Sequence, residues 1–308
     1  MTFATHVSPR AKHGANPWWR RVLRHPLAHM VAASLATFVP LALSFMLVEA
    51  LLPREMRIAW PNLMATVACA LGYWACAKWF ERREVSELSV SGAPAEWARG
   101  AGMGALLVLL TLAPLGGLGI YRIEGMGDSL PLLRQIPAML LVSVIEELLF
   151  RGVLFRIAEQ AWGSRRALVL STALFVAAHL PGDIDPMGVL VTAAASVAFT
   201  AAYLLSRRLW WPMGMHFAWN YLLSAVFSVP VSGHVANGWL HGSMSGPEWL
   251  SGGTYGVEAS AVALLVWATA GALLLRRAHC AQHTAAAPME SVRKVRAQEA
   301  EKAASRGL

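Results

Sequence analysis

The sequence predicts an all-α fold, a polytopic transmembrane bundle of about eight helical spans. Three observations predict it: an apolar composition, a series of membrane-length apolar runs, and a one-sided placement of the basic residues. Hydrophobic residues make up 56% of the 308-residue chain and charged residues 14%, against roughly 25% charged in soluble domains. That is too little charge to cover a soluble protein of this size. Crossing about 30 Å of hydrocarbon takes about 20 predominantly apolar residues in a helix. Such runs lie near 28–52, 58–79, 100–120, 134–157, 165–181, 186–206, 211–230 and 257–275.

The first run is longer than the apolar core of a secretory signal and follows a polar segment, so it reads as an uncleaved first helix. With the N-terminus placed in the cytoplasm and the sides alternating, the basic residues sort themselves. The inside segments hold Arg10, Lys12, Arg20, Arg21 and Arg24 before the first span, and Lys78, Arg82, Arg83 and Arg99 between the second and third. Arg151, Arg156, Arg165 and Arg166 surround the turn between the fourth and fifth spans. Arg207 and Arg208 follow the sixth, and seven more basic residues run from Arg276 onward. The outside loops hold only Arg54, Arg57, Arg122 and Arg134. This positive-inside pattern predicts a multi-pass cell-membrane protein with both termini cytoplasmic. The net charge of +8 is then directed at anionic inner-leaflet lipid, with no nucleic acid as partner. Trp18, Trp19, Trp79, Trp97, Trp162, Trp210 and Trp211 fall at inner boundaries and Trp60 near an outer one, where indoles favour the headgroup level.

The organisation is one membrane domain, 28–277, between a basic cytoplasmic N-terminal tail, 1–27, and a cytoplasmic C-terminal tail, 278–308. Three cysteines make no disulfide framework, and Cys69 and Cys76 suit packing within one span. The outside loop 231–256 carries seven glycines and no lysine or arginine. It reads as a glycine-rich re-entry loop, or as a substrate lid.

Ionisable side chains at hydrocarbon depth cost roughly 2.5–3.5 kcal/mol each on insertion scales. The fourth run nevertheless holds Glu146, Glu147 and Arg151. Glu147 and Arg151 are four apart and share a helix face, so they read as an internal ion pair. Glu146 is rotated about 100° away, without a basic residue on its own face, and reads as the free carboxylate. Two later runs carry Phe175-Val176-Ala177-Ala178-His179 and His216-Phe217-Ala218-Trp219-Asn220. His216 and Asn220 share a face. Intramembrane polar groups face a bundle interior, because lipid offers no hydrogen-bond partner, so these sites are candidates to converge. Glu49 lies near the outer end of the first run and reads as interfacial.

Glu146-Glu147-xxx-Arg151, Phe175-xxx-His179 and His216-xxx-Asn220, in this order on successive runs, resemble the three motifs of the CAAX-protease and bacteriocin-processing family of intramembrane endopeptidases. That family includes the type II CAAX prenyl endopeptidases. The resemblance covers residues 140–225 directly. It implies an intramembrane protease domain over 28–277 that hydrolyses a peptide bond of a membrane-associated protein or lipidated peptide. It implies catalytic roles for Glu146 and His179, which would activate a water. His216 and Asn220 offer donors for the oxyanion, a contribution of roughly 3–4 kcal/mol per donor. Glu147, Arg151 and Phe175 are supporting residues.

No cofactor is expected, although the polar set permits a zinc alternative with Glu146, His179 and His216 as ligands. Against zinc stands the need of a histidine ligand for an acceptor at its other ring nitrogen, since the spans flanking His179 and His216 show no spare carboxylate. His216 lies only about 8 Å along its helix from the inner side, which points to a cavity opening to the cytoplasm or the inner leaflet. Two other function classes fit a polar bundle: a small polytopic transporter, and a non-catalytic immunity or partner-binding protein on the same scaffold.

Overall fold

A computed structural model describes residues 25–182 and 184–281. The basic residues Arg10 to Arg24, Trp18, Trp19 and nearly all of the predicted C-terminal tail lie outside the described residues. The predicted spans correspond in order to helices α1 (Pro26–Leu51), α2 (Trp60–Phe80) and α3 (Ala93–Gly117); α4 (Ile136–Glu147 continued by a π-helical stretch Leu148–Phe155 and by Arg156–Trp162); α5 (Ser164–His179); α6 (Pro186–Ser206); α7 (Trp210–Tyr221, continued by a π turn Leu222–Val226); and α8 (Ala261–Ala281).

Five of these, α1, α2, α3, α6 and α8, are long and apolar enough to cross a membrane. Their outward faces are apolar: on α1, Leu43, Met46, Leu47 and Leu51 are each more than half exposed, a pattern that suits lipid rather than water. The remaining three carry the candidate motifs, and each falls short for a visible reason. Helix α4 concentrates Glu146, Glu147 and Arg151 in its middle. Helix α5 has 16 residues, about 24 Å at 1.5 Å per residue. Helix α7 is scarcely longer. These helices trade apolar length for chemistry.

Boundaries moved where a helix starts or ends on polar residues. Helix α3 starts at Ala93 rather than near 100, because left-handed Gly92 (φ 76°) and Pro94 in the first turn set its N-terminus. Helix α4 continues beyond 157 to Trp162, and Gly163 (φ 84°) ends it. The all-α prediction also needs correcting. Strand β1 (Tyr121–Met126) pairs antiparallel with β2 (Leu240–Met244), Tyr121 opposite Met244, with an irregularity between Ile123 and Gly125. Loop backbone at the end of a bundle still needs hydrogen-bond partners, and two loops supply them to each other. The Tyr121 hydroxyl then ties the sheet to α7 by donating to the Phe227 carbonyl at 2.9 Å.

Helices α3 and α7 pack backbone to backbone. A Cβ on Gly100 would collide with the Trp211 carbonyl, one on Gly104 with the Met215 carbonyl, and one on Gly214 with the Trp97 carbonyl. Small residues at such crossings let two helices approach closely. At the same end of the bundle, an ionic cluster joins α1, α2 and α4. Glu81 accepts from His29 Nε2 at 2.8 Å and from Arg156 Nη2 at 2.6 Å, and it pairs with Arg83. Arg83 also reaches Glu87, which accepts from the Tyr73 hydroxyl. Burial by itself would raise the Glu81 carboxyl. The His29 hydrogen bond and the Arg156 and Arg83 cations outweigh it and hold the group down to about 2. Arg156 is 7% exposed, so the sequence reading that counted it among charges facing lipid headgroups is corrected. It holds helices together.

Candidate active site

The adjacent glutamates of α4 meet different surroundings. Glu147 is fully buried, and its Oε1 accepts from Arg151 Nη1 at 3.0 Å and from His216 Nδ1 at 3.0 Å. The predicted Glu147–Arg151 pair is therefore present, but Glu147 also reaches across to α7. Arg151 is equally buried. Its Nη2 donates to the Ser196 carbonyl at 3.0 Å and to Ser196 Oγ at 3.1 Å. Its guanidinium lies 4.8 Å from the Phe175 ring centroid and 5.1 Å from that of Phe199, where the ring faces compensate lost hydration. A cation that would be prohibitive in hydrocarbon is thus held by one carboxylate, one carbonyl, one hydroxyl and three aromatic faces, the third being Phe150 at 6.0 Å.

Glu146 is different. Its side chain is about a quarter exposed and lines the large cavity. One carboxylate oxygen is buried without a hydrogen-bond partner and lies 3.8 Å from His216 Nε2. His216 therefore stands between two carboxylates, bonded to Glu147 through Nδ1 and turned toward Glu146 through Nε2. Phe199 stacks on its ring at 4.8 Å. Because a carboxylate only accepts, Nδ1 carries the proton, and the Nε2 edge is left for the cavity.

His179 ends α5 and lines the same cavity. Its Nδ1 donates to the Phe175 carbonyl at 2.8 Å, which again leaves Nε2 unencumbered. Phe175 supplies that carbonyl and the face over Arg151. Asn220, one turn from His216, is buried and lines the cavity. The seven residues singled out by sequence thus occupy one region, divided between the cavity wall (Glu146, His179, His216, Asn220 and Phe175) and the buried support behind it (Glu147 and Arg151).

The cavity measures about 850 Å³, within the range of ligand pockets. Sequence reasoning missed part of its wall. Glu258 accepts from Trp219 Nε1 at 2.7 Å and from the Ser232 backbone N–H at 2.6 Å. Gln135 accepts from Ser224 Oγ at 2.6 Å and donates to the Asn237 carbonyl at 3.0 Å. Glu258 gave a signal, since it lies inside the apolar run 257–275 just as Glu146 lies inside its own. Gln135 gave none. The loop 231–256 is more than a re-entry turn: Val231, Ser232, His234, Asn237 and Tyr255 form cavity wall. Glu49, by contrast, is exposed at the bundle's edge, 3.8 Å from Arg57.

The zinc alternative receives two findings that pull apart. The expectation that His216 has no carboxylate acceptor is wrong, since Glu147 is that acceptor, contributed by α4 across the helix interface. Yet among the described residues no three His, Cys, Asp or Glu side chains come together as a group that could hold a metal ion. The residues do not fit the three-ligand site.

No curated protein and no solved structure matches the chain. Residues 128–222 match the family model described as Type II CAAX prenyl endopeptidase Rce1-like. That stretch begins just ahead of α4 and ends as α7 turns into its π segment, so it contains all seven residues. Over residues 128–222 the chain carries an Rce1-like domain of the type II CAAX prenyl endopeptidase family, a family of peptide-bond hydrolases.

Proposed function

We propose that the protein is an intramembrane endopeptidase that cleaves a membrane-associated protein or peptide through a water activated by Glu146 and His179. The observation that carries this reading is the Glu146 carboxylate: partly open to the cavity, with one oxygen unpartnered and a carboxylate-backed histidine 3.8 Å away. In the proposed reaction Glu146 takes a proton from water as the oxygen attacks the scissile carbonyl carbon. His179 Nε2 orients the same water. Asn220 and, when its Nε2 is protonated, His216 donate to the oxyanion, where preorganised donors in a dry site act most strongly. Collapse of the tetrahedral intermediate breaks the C–N bond, and the proton held by Glu146 goes to the departing amine.

Two wider features belong to the same reading. All eight helices span the bilayer, with α4, α5 and α7 sheltered by the longer apolar ones. Both termini are cytoplasmic, as the basic residues direct. The protease domain occupies 28–277.

The test compares protein N-termini in membranes of cells making the wild-type chain or a His179→Ala variant. New termini within membrane-anchored proteins are expected with the wild type alone, and identical sets from both would sink the proposal. A second expected outcome concerns metal. The purified enzyme should keep its activity after dialysis against a strong chelator. One equivalent of zinc, with activity lost on removal and restored on return, would replace the metal-free mechanism.

A further inference from the structure

We propose that the cavity holds its peptide as an extended strand, paired main chain to main chain with loop residues 235–237. This rests on the protease reading for what the peptide undergoes, but the pairing stands on its own observations.

The first is a gap in the loop's backbone hydrogen bonds. Ser232 and Gly233, both at positive φ (53° is not needed here: 49° and 76°), make a tight turn that bridges Val231 and His234. Within it the Ser232 N–H donates to Glu258, the Gly233 N–H to the Tyr255 carbonyl and the His234 N–H to the Val231 carbonyl. Further on, the Gly238 N–H donates to Ser228 Oγ and the Trp239 N–H to the Ala225 carbonyl. Between these, the N–H groups of Val235, Ala236 and Asn237 and the carbonyls of Val235 and Ala236 have no partner among the described residues. Main-chain groups in a protein wall need partners. The chain also passes through 235–238 without a turn or a bend, as an extended strand does.

The second is which edge is open. Successive residues of a strand turn their hydrogen-bonding groups to opposite edges. The edge of His234 and Gly238 is taken up by Val231 and Ser228. The other edge belongs to Val235 and Asn237, where the Val235 N–H, the Val235 carbonyl and the Asn237 N–H are all unpaired. Val235 and Asn237 line the cavity, and Ala236 between them does not. Val235 is 87% exposed. A peptide laid along this edge gains those main-chain hydrogen bonds, which is the strand-addition mode of peptide recognition.

The third is how the segment is held beside the chemistry. Glu258 joins the Ser232 N–H to Trp219 Nε1, and Gln135 joins the Asn237 carbonyl to Ser224 Oγ. Trp219 and Ser224 lie on α7 and its π turn, one residue before Asn220 and about one turn after it. Both ends of the segment are therefore clamped to the helix that carries His216 and Asn220. Glu146 and His179 line the same cavity. Alternate side chains of the bound strand would meet Phe175, Phe199, Trp219 and Trp267, whose rings ask only for apolar contact, so the main chain supplies the register. A helical substrate keeps its carbonyls in its own i to i+4 bonds. An extended one presents them, as attack on the scissile carbonyl requires.

The experiment measures binding and not cleavage. The full-length chain carrying Glu146→Gln, purified in detergent, is titrated against a fluorescein-labelled, end-blocked peptide of alternating leucine and threonine, and anisotropy is read against empty micelles. The peptide should bind, and the same peptide N-methylated at every residue should bind at least about tenfold more weakly, as loss of several main-chain hydrogen bonds requires. Adding Val235→Pro removes a donor from the pairing edge and should weaken binding about fivefold or more. Ala236→Pro removes a donor from the opposite edge, and Val235→Ala keeps the main chain, so both should bind within about twofold of the parent. No binding of the unmethylated peptide, equal binding of the methylated one, or equal affinities with proline at 235 and at 236 would each overturn the pairing. If Val235→Pro does not fold, the methylated peptide still decides, because it leaves the loop unaltered. A failed pairing leaves the protease reading in place, and a failed search for new N-termini leaves the binding pattern unchanged.

Discussion

Glu147→Gln is expected to destabilise the protein by about 3–5 kcal/mol, the range for breaking one side of a buried ion pair, and to abolish activity as well. Arg151 is fully buried with Glu147 as its carboxylate partner. Removing the negative charge leaves a guanidinium in the core with only Ser196 and aromatic faces to hold it. The same substitution takes the charge from behind His216 Nδ1. A double variant separates the two effects. Glu147→Gln combined with Arg151→Met removes both charges, so part of the stability should return, measured by thermal unfolding in detergent. Activity should not return, because His216 still lacks its carboxylate. Since neighbouring residues couple strongly, the non-additive part of the cycle is itself the measure of the pair. If Glu147→Gln alone unfolds at the wild-type temperature, the pairing does not support the fold.

Local periodicity explains what the sequence made legible. Glu147 and Arg151 are four apart, and helical geometry brings them together whatever surrounds them. The same arithmetic put His216 and Asn220 on one face and Phe175 beside His179. Hydropathy located eight helices because lipid-facing and core-facing residues are both apolar. It misplaced the start of α3, where a turn capped by Gly92 and Pro94 is helical without being apolar. It also had no means of seeing β1 and β2, which are separated by more than a hundred residues and pair only because the bundle brings their loops together.

The misreadings in the site have one cause. Each assigned a side chain to partners on its own helix. Glu147 was matched to Arg151 and then treated as spent, although one carboxylate oxygen accepts from two donors. From that followed the conclusion that His216 had no second acceptor. Glu258 was passed over because its partners, Trp219 and Ser232, lie 39 and 26 residues away. Gly100 and Gly104, four apart, did offer a readable signal for close helix packing.

Glu146→Gln provides the sharpest test of the chemistry, because it should separate activity from stability. Glutamine has nearly the shape of glutamate, and Glu146 has no hydrogen bond within the fold to lose: one oxygen is unpartnered and the side chain is partly open to the cavity. Its unfolding should stay within about 0.5 kcal/mol of wild type, as for substitutions that break no buried contact. Turnover of a substrate identified from the N-terminus comparison should fall about 10²–10⁴-fold, the usual contribution of a positioned general base. The loss should appear in kcat more than in KM, because a base acts on the transition state and contributes little to holding the peptide. Placed beside Glu147→Gln, the result assigns the two neighbouring carboxylates. A variant at 146 that is stable and inactive, with one at 147 that is unstable and inactive, identifies the cavity carboxylate as the base and the buried one as the support of Arg151 and His216. Wild-type kcat in Glu146→Gln would move the base elsewhere, and a large drop in its unfolding temperature would mean that this carboxylate, too, holds the helices together.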